Sequence, residues 1–343
     1  MAKELTKDIW YDINRLLSFK ALISVVVGMR GGGKTYGAKK RCIIDFKEKG
    51  QQFVWLRRYD SELFEAKKTF FNAIRNDPDL NRKYPDMKLH IIGNKVYIDD
   101  EVAGYFIALT LAHKFKSSDF PLVVNIVYDE FIPDDSSRLG YLRSEVTALY
   151  NLIETIQRQR DTTRVIMIAN AISFGNPYFI AWRVKPFRQE FLHLKSMSIV
   201  IQMYYNEAFA NYKQDTRFGK LTAGTEYSQF AIMNKFADDN DVFIGNRTEY
   251  AKYRCTVKYE GETYGFWIDF NEGLIFASSK VDPSCPHSYT LSQKDHDINY
   301  LLVKNVKGTY VNEIVEGYKL GILRFESIMI KSRVLEMLTL FIR

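Results

Sequence analysis

The chain has 343 residues, 46% hydrophobic and 26% charged, enough to bury more than one domain-sized core and unlike any disordered or collagenous composition. No apolar run approaches the roughly 20 residues of a membrane span, and Met1-Ala2-Lys3-Glu4 lacks the apolar stretch of a secretory leader, which predicts that the protein is not secreted. The net charge of +7 lies in the first part, with 31 basic against 23 acidic residues over 1–195 and 17 against 18 over 196–343, a surplus that suits nucleic acid, nucleotide or a merely solvated face.

The first apolar run, residues 22–27, is short enough for a buried strand and leads into Gly28-Met29-Arg30-Gly31-Gly32-Gly33-Lys34-Thr35, with a helix expected from Tyr36. Strand, glycine-rich loop and helix in that order are the setting of a P-loop, Gly-x-x-x-x-Gly-Lys-Thr. The glycines let amides turn toward a polyphosphate at a helix N-terminus. Lys34 would reach the outer phosphates of ATP and the Thr35 hydroxyl would hold Mg²⁺. Gln52–Arg57 reads as a second strand, and Arg57-Arg58 at its end as phosphate or neighbour contacts, or as plain surface charge. Asp77-Pro78-Asp79 and Tyr84-Pro85-Asp86 punctuate a passage from helix to loop, before a hairpin over 96–98 and 105–109. Lys116-Ser117-Ser118 forms a polar loop that could reach DNA or an adjacent nucleotide, or simply be solvated.

Residues 122–128 make an apolar strand that delivers Asp129 and Glu130 to its C-terminal end, the edge where open α/β sheets place ligands. Asp129 can hold Mg²⁺ in the manner of a Walker B strand, and Glu130 can take a proton from the attacking water. The gap between Lys34 and Asp129 leaves room for an additional strand between the two motif strands, for which Gln52–Arg57 is a candidate; such an insertion, with the glutamate beside the Walker B aspartate, is the pattern of ATP-driven motors rather than of adenylate-type kinases. Residues 141–159 read as a helix with Leu142, Val146, Leu149, Ile153 and Ile156 on one face. Arg160 continues that face, whereas Arg158 falls on the exposed one, as an arginine finger for a neighbouring subunit or as a cation at the helix end. Arg164–Ala169 is a further buried strand, and Asn170 after it could sense a γ-phosphate or cap its loop.

Residues 195–241 are irregular and read as a linker with some helix. Beyond 242, the runs 253–259, 263–270 and Leu274–Ser278 are separated by Glu260-Gly261-Glu262 and Asn271-Glu272-Gly273, which predicts a three-stranded antiparallel meander. Helices follow from about 297, the last with Val334, Leu335, Leu338 and Phe341 in a stripe. Cys42, Cys255 and Cys285 lack zinc-site spacing and fit a reducing compartment.

These residues resemble the DNA-packaging ATPases of phi29-like phages, relatives of the large terminases of tailed phages. The resemblance spans nearly the whole chain. Beyond the P-loop it rests on Phe53-Val54-Trp55-Leu56-Arg57-Arg58-Tyr59, Ile126-Val127-Tyr128-Asp129-Glu130-Phe131, Gln157-Arg158-Gln159-Arg160 and Ala169-Asn170-Ala171. It continues at Arg217-Phe218-Gly219-Lys220, at Gly224-Thr225-Glu226-Tyr227 and at Trp267-Ile268-Asp269-Phe270-Asn271-Glu272-Gly273-Leu274, which a generic P-loop protein would not share.

The resemblance implies an α/β fold. A P-loop ATPase domain of the additional-strand type, with a mainly parallel sheet, would span 1–195, followed by a linker over 196–241. A smaller RNase H-like α+β domain would span 242–343. It implies a motor subunit that uses ATP and Mg²⁺ to drive double-stranded DNA into an empty capsid, in a ring, usually a pentamer, on the portal vertex. The portal protein and a packaging RNA are implied partners, and the location is host cytoplasm with transient attachment to the procapsid. Arg158 becomes the arginine finger, Lys116 a lysine near the intersubunit site, and Arg30 fits the P-loops of large terminases. Large terminases carry a two-metal nuclease in the second domain, but no acidic triad assembles around Asp269, and Asp282 and Asp295 stand in loop-like contexts. A degenerate nuclease fold is therefore expected, with a nuclease-active terminase and an ATP-binding assembly protein as the alternatives.

Overall fold

Every residue of strand β1 (Ile23–Gly28) is buried, the mark of a strand covered on both faces. The computed structural model describes residues 10–133, 140–142, 144–170, 176–184, 187, 189–223, 225 and 243–338. Expectations placed on Ala171, Gly224, Glu226, Tyr227 and Phe341, and on 226–241 of the linker, lie outside the described residues. The chain divides into two compact units, Met1–Ile172 with Lys185–Ala237, and Ser173–Val184 with Asp238–Arg343.

The first unit runs α1 (Ile13–Leu17), β1, α2 (Lys34–Lys49), β2 (Gln52–Arg57), α3 (Asp60–Thr69), α4 (Asn72–Arg75) and α5 (Pro78–Lys83). It continues with β3 (Leu89–Ile92), β4 (Lys95–Ile98), β5 (Glu101–Ala108), a 3₁₀ helix (Leu109–Phe115), β6 (Val123–Asp129), α6 (Glu145–Gln157) and β7 (Arg164–Ala169). After α7 (Pro177–Ala181), which belongs to the second unit, come β8 (Phe191–Leu194), β9 (Ile199–Tyr204), α8 (Glu207–Asp215) and α9 (Arg217–Thr222). The sheet order is β3-β4-β5-β2-β6-β7-β1-β9-β8. From β5 to β9 all neighbours are parallel, while β3, β4 and β8 close the edges antiparallel. The β4–β5 hairpin turns through Asp99 and Asp100, both at positive φ, as a two-residue turn requires.

The expected α/β architecture holds, with three corrections. The strand between the two motif strands is β7, not Gln52–Arg57, which lies on the far side of β6. Spacing could not show this, because β7 enters through the crossover helix α6 after both motifs have passed. The boundary at 195 moves, because β9 pairs with β1 from Ile23↔Ile199 to Gly28↔Tyr204 inside the first sheet. Finally, α6 starts at Glu145 rather than 141 and stops where Arg158 takes φ +49, with Leu149, Leu152, Ile153 and Ile156 buried.

The second unit contains β10 (Lys252–Tyr259), β11 (Glu262–Asp269), β12 (Leu274–Ser278), β13 (Ser288–Thr290) and β14 (Leu301–Leu302), then α10 (Tyr310–Lys319), β15 (Leu323–Phe325) and α11 (Ile328–Leu338). The expected meander is present as β10-β11-β12, with β13, β14 and β15 joining in parallel in the order β14-β13-β10-β11-β12-β15. The amphipathic helices α10 and α11 bury Val311, Ile314, Val315, Val334 and Met337 with Phe266, Leu323 and Phe325 in a core of their own.

Candidate active site

The loop from Gly28 to Gly33 is held in shape from behind. A Cβ on Gly28 would stand 2.1 Å from the Tyr204 carbonyl, so only glycine lets β1 and β9 close at their ends. The Met29 amide donates to that same carbonyl, the Tyr11 amide donates to the Gly32 carbonyl, and Lys213 of α8 donates to the Arg30 carbonyl at 2.8 Å. Gly31 and Gly33 take φ of +84° and +93°, which an L side chain would adopt only with strain. Three chain segments therefore fix a loop whose own sequence is flexible.

Lys34 opens α2 and is buried; its Nζ donates to the carbonyls of Gly28 and Met29, both at 2.7 Å, and to Asn170 Oδ1 at 3.4 Å. Burial pushes its ammonium down to about 7, against the pull of Asp129 and with a smaller push from Lys213. The Thr35 hydroxyl donates to Asp129 Oδ1 at 2.9 Å. Arg57, at the end of β2, donates to Asp129 Oδ2 at 2.9 Å and also ion-pairs with Glu130, which sits at φ +59 and is largely exposed. Burial works against the Arg57 cation, but Asp129 and Glu130 more than offset it and hold it protonated. Lys34, Thr35, Asp129, Glu130 and Asn170 line one cleft of about 310 Å³, whose floor includes Gly31 and Gly33 and whose wall includes Lys39.

That donor set fits a magnesium-bound polyphosphate. A buried ammonium, held closest by two main-chain carbonyls, lines the cleft with the positive-φ glycines Gly31 and Gly33, and a hydroxyl and a carboxylate stand within 3 Å of each other, as oxygen ligands of a hard cation do.

Two expected site residues lie elsewhere. Arg158 is exposed; its Nη2 donates to the Ser118 carbonyl at 2.9 Å and its Nε stands 3.9 Å from Asp119. Lys116, exposed, closes the 3₁₀ helix two residues before Ser118. Both sit near the start of β6, whereas Asp129 is its last residue, about 20 Å away at 3.3 Å per residue. Neither lines the cleft of its own subunit. Arg160 donates instead to the Phe120 carbonyl and lies on the packed side, as its spacing predicts. Arg30 is exposed.

The model of the podovirus DNA encapsidation proteins (Gp16) matches residues 5–340. The chain belongs to this family. It is 34% identical over 327 residues to the DNA packaging protein of Bacillus phage phi29, covering 95% of this chain and 96% of the relative. It is 33% identical over 319 residues to the DNA packaging protein of Bacillus phage B103, covering 92% and 96%. Among solved structures it is similar to a chain of the phi29 viral genome packaging motor assembly, with a TM-score of 0.75 at 33% identity over 96% of this chain and 99% of that one. The N-terminal domain of the phi29 DNA packaging ATPase matches with a TM-score of 0.52 at 34% identity over 58% of this chain and 98% of that domain.

Against that family background, the residues missed in the sequence are informative. Tyr204, Tyr11 and Lys213 shape the P-loop from outside it, and nothing in their local sequence marks them. Arg57 and Arg58 do opposite things: Arg57 joins the acidic pair, and Arg58 is buried against Glu145. In the second unit, Asp269 accepts the Asn271 and Glu272 amides and the Thr248 hydroxyl, which hold its carboxyl below the usual range; Asp282 caps the turn at Ser284, and Asp295 caps Gly261. Each secures a different turn. Among the described residues, no group of three or more His, Cys, Asp or Glu side chains could hold a metal ion.

Proposed function

We propose that this encapsidation protein is an ATP-hydrolysing motor subunit that moves double-stranded DNA into an empty capsid. The observation that carries the reading is the Thr35 hydroxyl on Asp129 with Glu130 beside it, at the mouth of a cleft floored by the P-loop. Lys34 would leave the carbonyls of Gly28 and Met29 for phosphate oxygens, and Asn170, already within reach of Lys34, would stand beside the terminal phosphate. Thr35 and Asp129 would hold Mg²⁺, which neutralises phosphate charge as the bond to the leaving group breaks. Glu130, one residue past the strand, accepts the proton of the attacking water once Arg57 lets go of it.

Arg158 and Lys116 stand too far from their own cleft to complete it, which favours a ring in which each subunit completes its neighbour's site. The likeness to a motor assembly supports a ring on the portal, with five subunits, the portal protein and a packaging RNA as proposed partners in the host cytoplasm. The second unit is read as a degenerate RNase H-like domain, because its candidate carboxylates secure separate turns.

The test is ATP turnover with and without double-stranded DNA and procapsids. Stimulation by both, abolished by Lys34→Ala and by Glu130→Gln with ATP binding retained in the latter, is expected. Turnover indifferent to DNA and procapsids would favour an ATP-binding assembly protein. Retained turnover in Glu130→Gln would remove Glu130 from the chemistry.

A further inference from the structure

Arg58 and Glu145 form a fully buried ion pair that the chemistry above does not use. Glu145 is the first residue of α6, and its carboxylate accepts from Arg58 Nε at 2.8 Å and Nη2 at 3.0 Å, from the Tyr128 hydroxyl at 2.8 Å and from the Leu142 amide at 2.8 Å. Arg58 Nη2 also donates to the Phe131 carbonyl. Three members of this knot adjoin site residues, since Arg58 follows Arg57, Tyr128 precedes Asp129 and Phe131 follows Glu130, while Leu142 stands just before α6.

A buried ion pair is seldom favoured over apolar packing of the same volume; what it supplies is one fixed geometry, here a two-pronged guanidinium–carboxylate contact with its acceptors filled. The knot fixes the start of a helix of 13 residues, about 20 Å long at 1.5 Å per residue, which stops at Arg158. At that length a tilt of about 5° moves the far end by about 2 Å. A misplacement of about 1 Å in a group that must meet a transition state can cost about 100-fold in rate.

We infer that Arg58 and Glu145 are positioning residues for the neighbouring subunit's site: they fix α6 so that Arg158 at its other end reaches the cleft next door. This rests on the intersubunit reading of Arg158. The consequence is an asymmetry between the two sides of one subunit. The receiving residues have anchors apart from the knot, since Arg57 pairs with Ala108, Asp129 pairs with Ile168 and the Phe131 amide donates to the Ile168 carbonyl. Loss of the pair should therefore spoil a subunit as a donor of Arg158 while leaving it fit to receive one.

The experiment mixes full-length variants in pairs and measures ATP turnover with DNA and procapsids. Arg158→Ala mixed with Glu130→Gln is the reference; it should recover turnover at interfaces where an intact Glu130 meets an intact Arg158. Glu145→Gln mixed with Glu130→Gln should recover to within about twofold of that reference, whereas Glu145→Gln mixed with Arg158→Ala should stay at the level of either alone. Recovery of both Glu145→Gln mixtures, of neither, or of only the second would overturn the inference. Failure of the reference mixture would overturn the intersubunit reading itself, and is separately visible. Should Glu145→Gln not fold, the paired change Arg58→Met with Glu145→Leu fills the same volume without charge and must show the same asymmetry.

Discussion

The guanidinium of Arg57 bridges Asp129 and Glu130, so one cation occupies the carboxylate expected to hold Mg²⁺ and the one expected to activate water. Asp129 is nearly inaccessible, with its other oxygen taken by Thr35, while Glu130 is mostly in solvent. The Arg57–Glu130 contact is therefore the weak side of the bridge. Arg57 restrains the glutamate proposed to activate water until something pulls it away.

Arg57→Ala removes that restraint. An ion pair with one partner this exposed is worth at most about 1 kcal/mol, so DNA-independent turnover should rise by no more than about fivefold and stimulation by DNA should shrink in proportion. Steady-state ATP hydrolysis with and without DNA measures this. Equal falls in both would mean that Arg57 supports the chemistry instead.

Lys34 sets a pH dependence with a definite sign. Its ammonium titrates near 7 in the nucleotide-free protein, and a polyphosphate binds the charged form. Affinity for ATP should be fullest below about pH 7 and weaken above it by up to about tenfold per unit, with a proton taken up on binding. Calorimetry at pH 8 in two buffers of different ionisation enthalpy reads that proton directly. The effect on stability runs the other way. Between about 7 and 10.5 the unfolded chain keeps a proton that folded Lys34 has lost, so through this group the nucleotide-free protein gains stability as pH rises across that window.

Two glycines should fail for different reasons. Gly28→Ala puts a methyl 2.1 Å from the Tyr204 carbonyl and must part β1 from β9, costing about 1–3 kcal/mol and loosening the loop that follows. Gly50→Ala meets nothing within 4 Å and pays only for φ +64, about 1 kcal/mol. Denaturant midpoints separate the two, and ATP affinity should fall in the first alone.

Asp269→Ala should leave supercoiled DNA as intact in Mn²⁺ as the unaltered protein leaves it, while lowering the thermal midpoint because the turn after β11 loses its acceptor. Its contribution to stability is present above the ordinary carboxyl range and lost as pH falls through the depressed value of the folded state. DNA cleavage abolished by the substitution would restore the second unit as a nuclease.

Much of this was legible in the chain. The P-loop, the Asp129-Glu130 pair and the meander of the second unit announce themselves through local pattern, because each is a run of consecutive residues with one period. What escaped was whatever depends on pairing between distant segments. β9 looked like linker because its run, Ile199–Tyr204, sits in an irregular, Tyr- and Asn-rich region, and only its register with β1 makes it part of the first sheet. The same holds for β7, whose place between the motif strands is a matter of topology rather than spacing. Arg57 and Arg58 were visible as a basic dipeptide, but their opposite assignments depend on where Asp129 and Glu145 end up.

The bracing of the P-loop by Tyr11, Tyr204 and Lys213 carries a cost for discrimination. A cradle already shaped before any ligand arrives welcomes the two inner phosphates of spent and fresh nucleotide alike. In the proposed motor, telling fuel from exhaust would then fall to the groups proposed to surround the third phosphate: Asn170, Glu130 with its Arg57 latch, and whatever a neighbouring subunit brings.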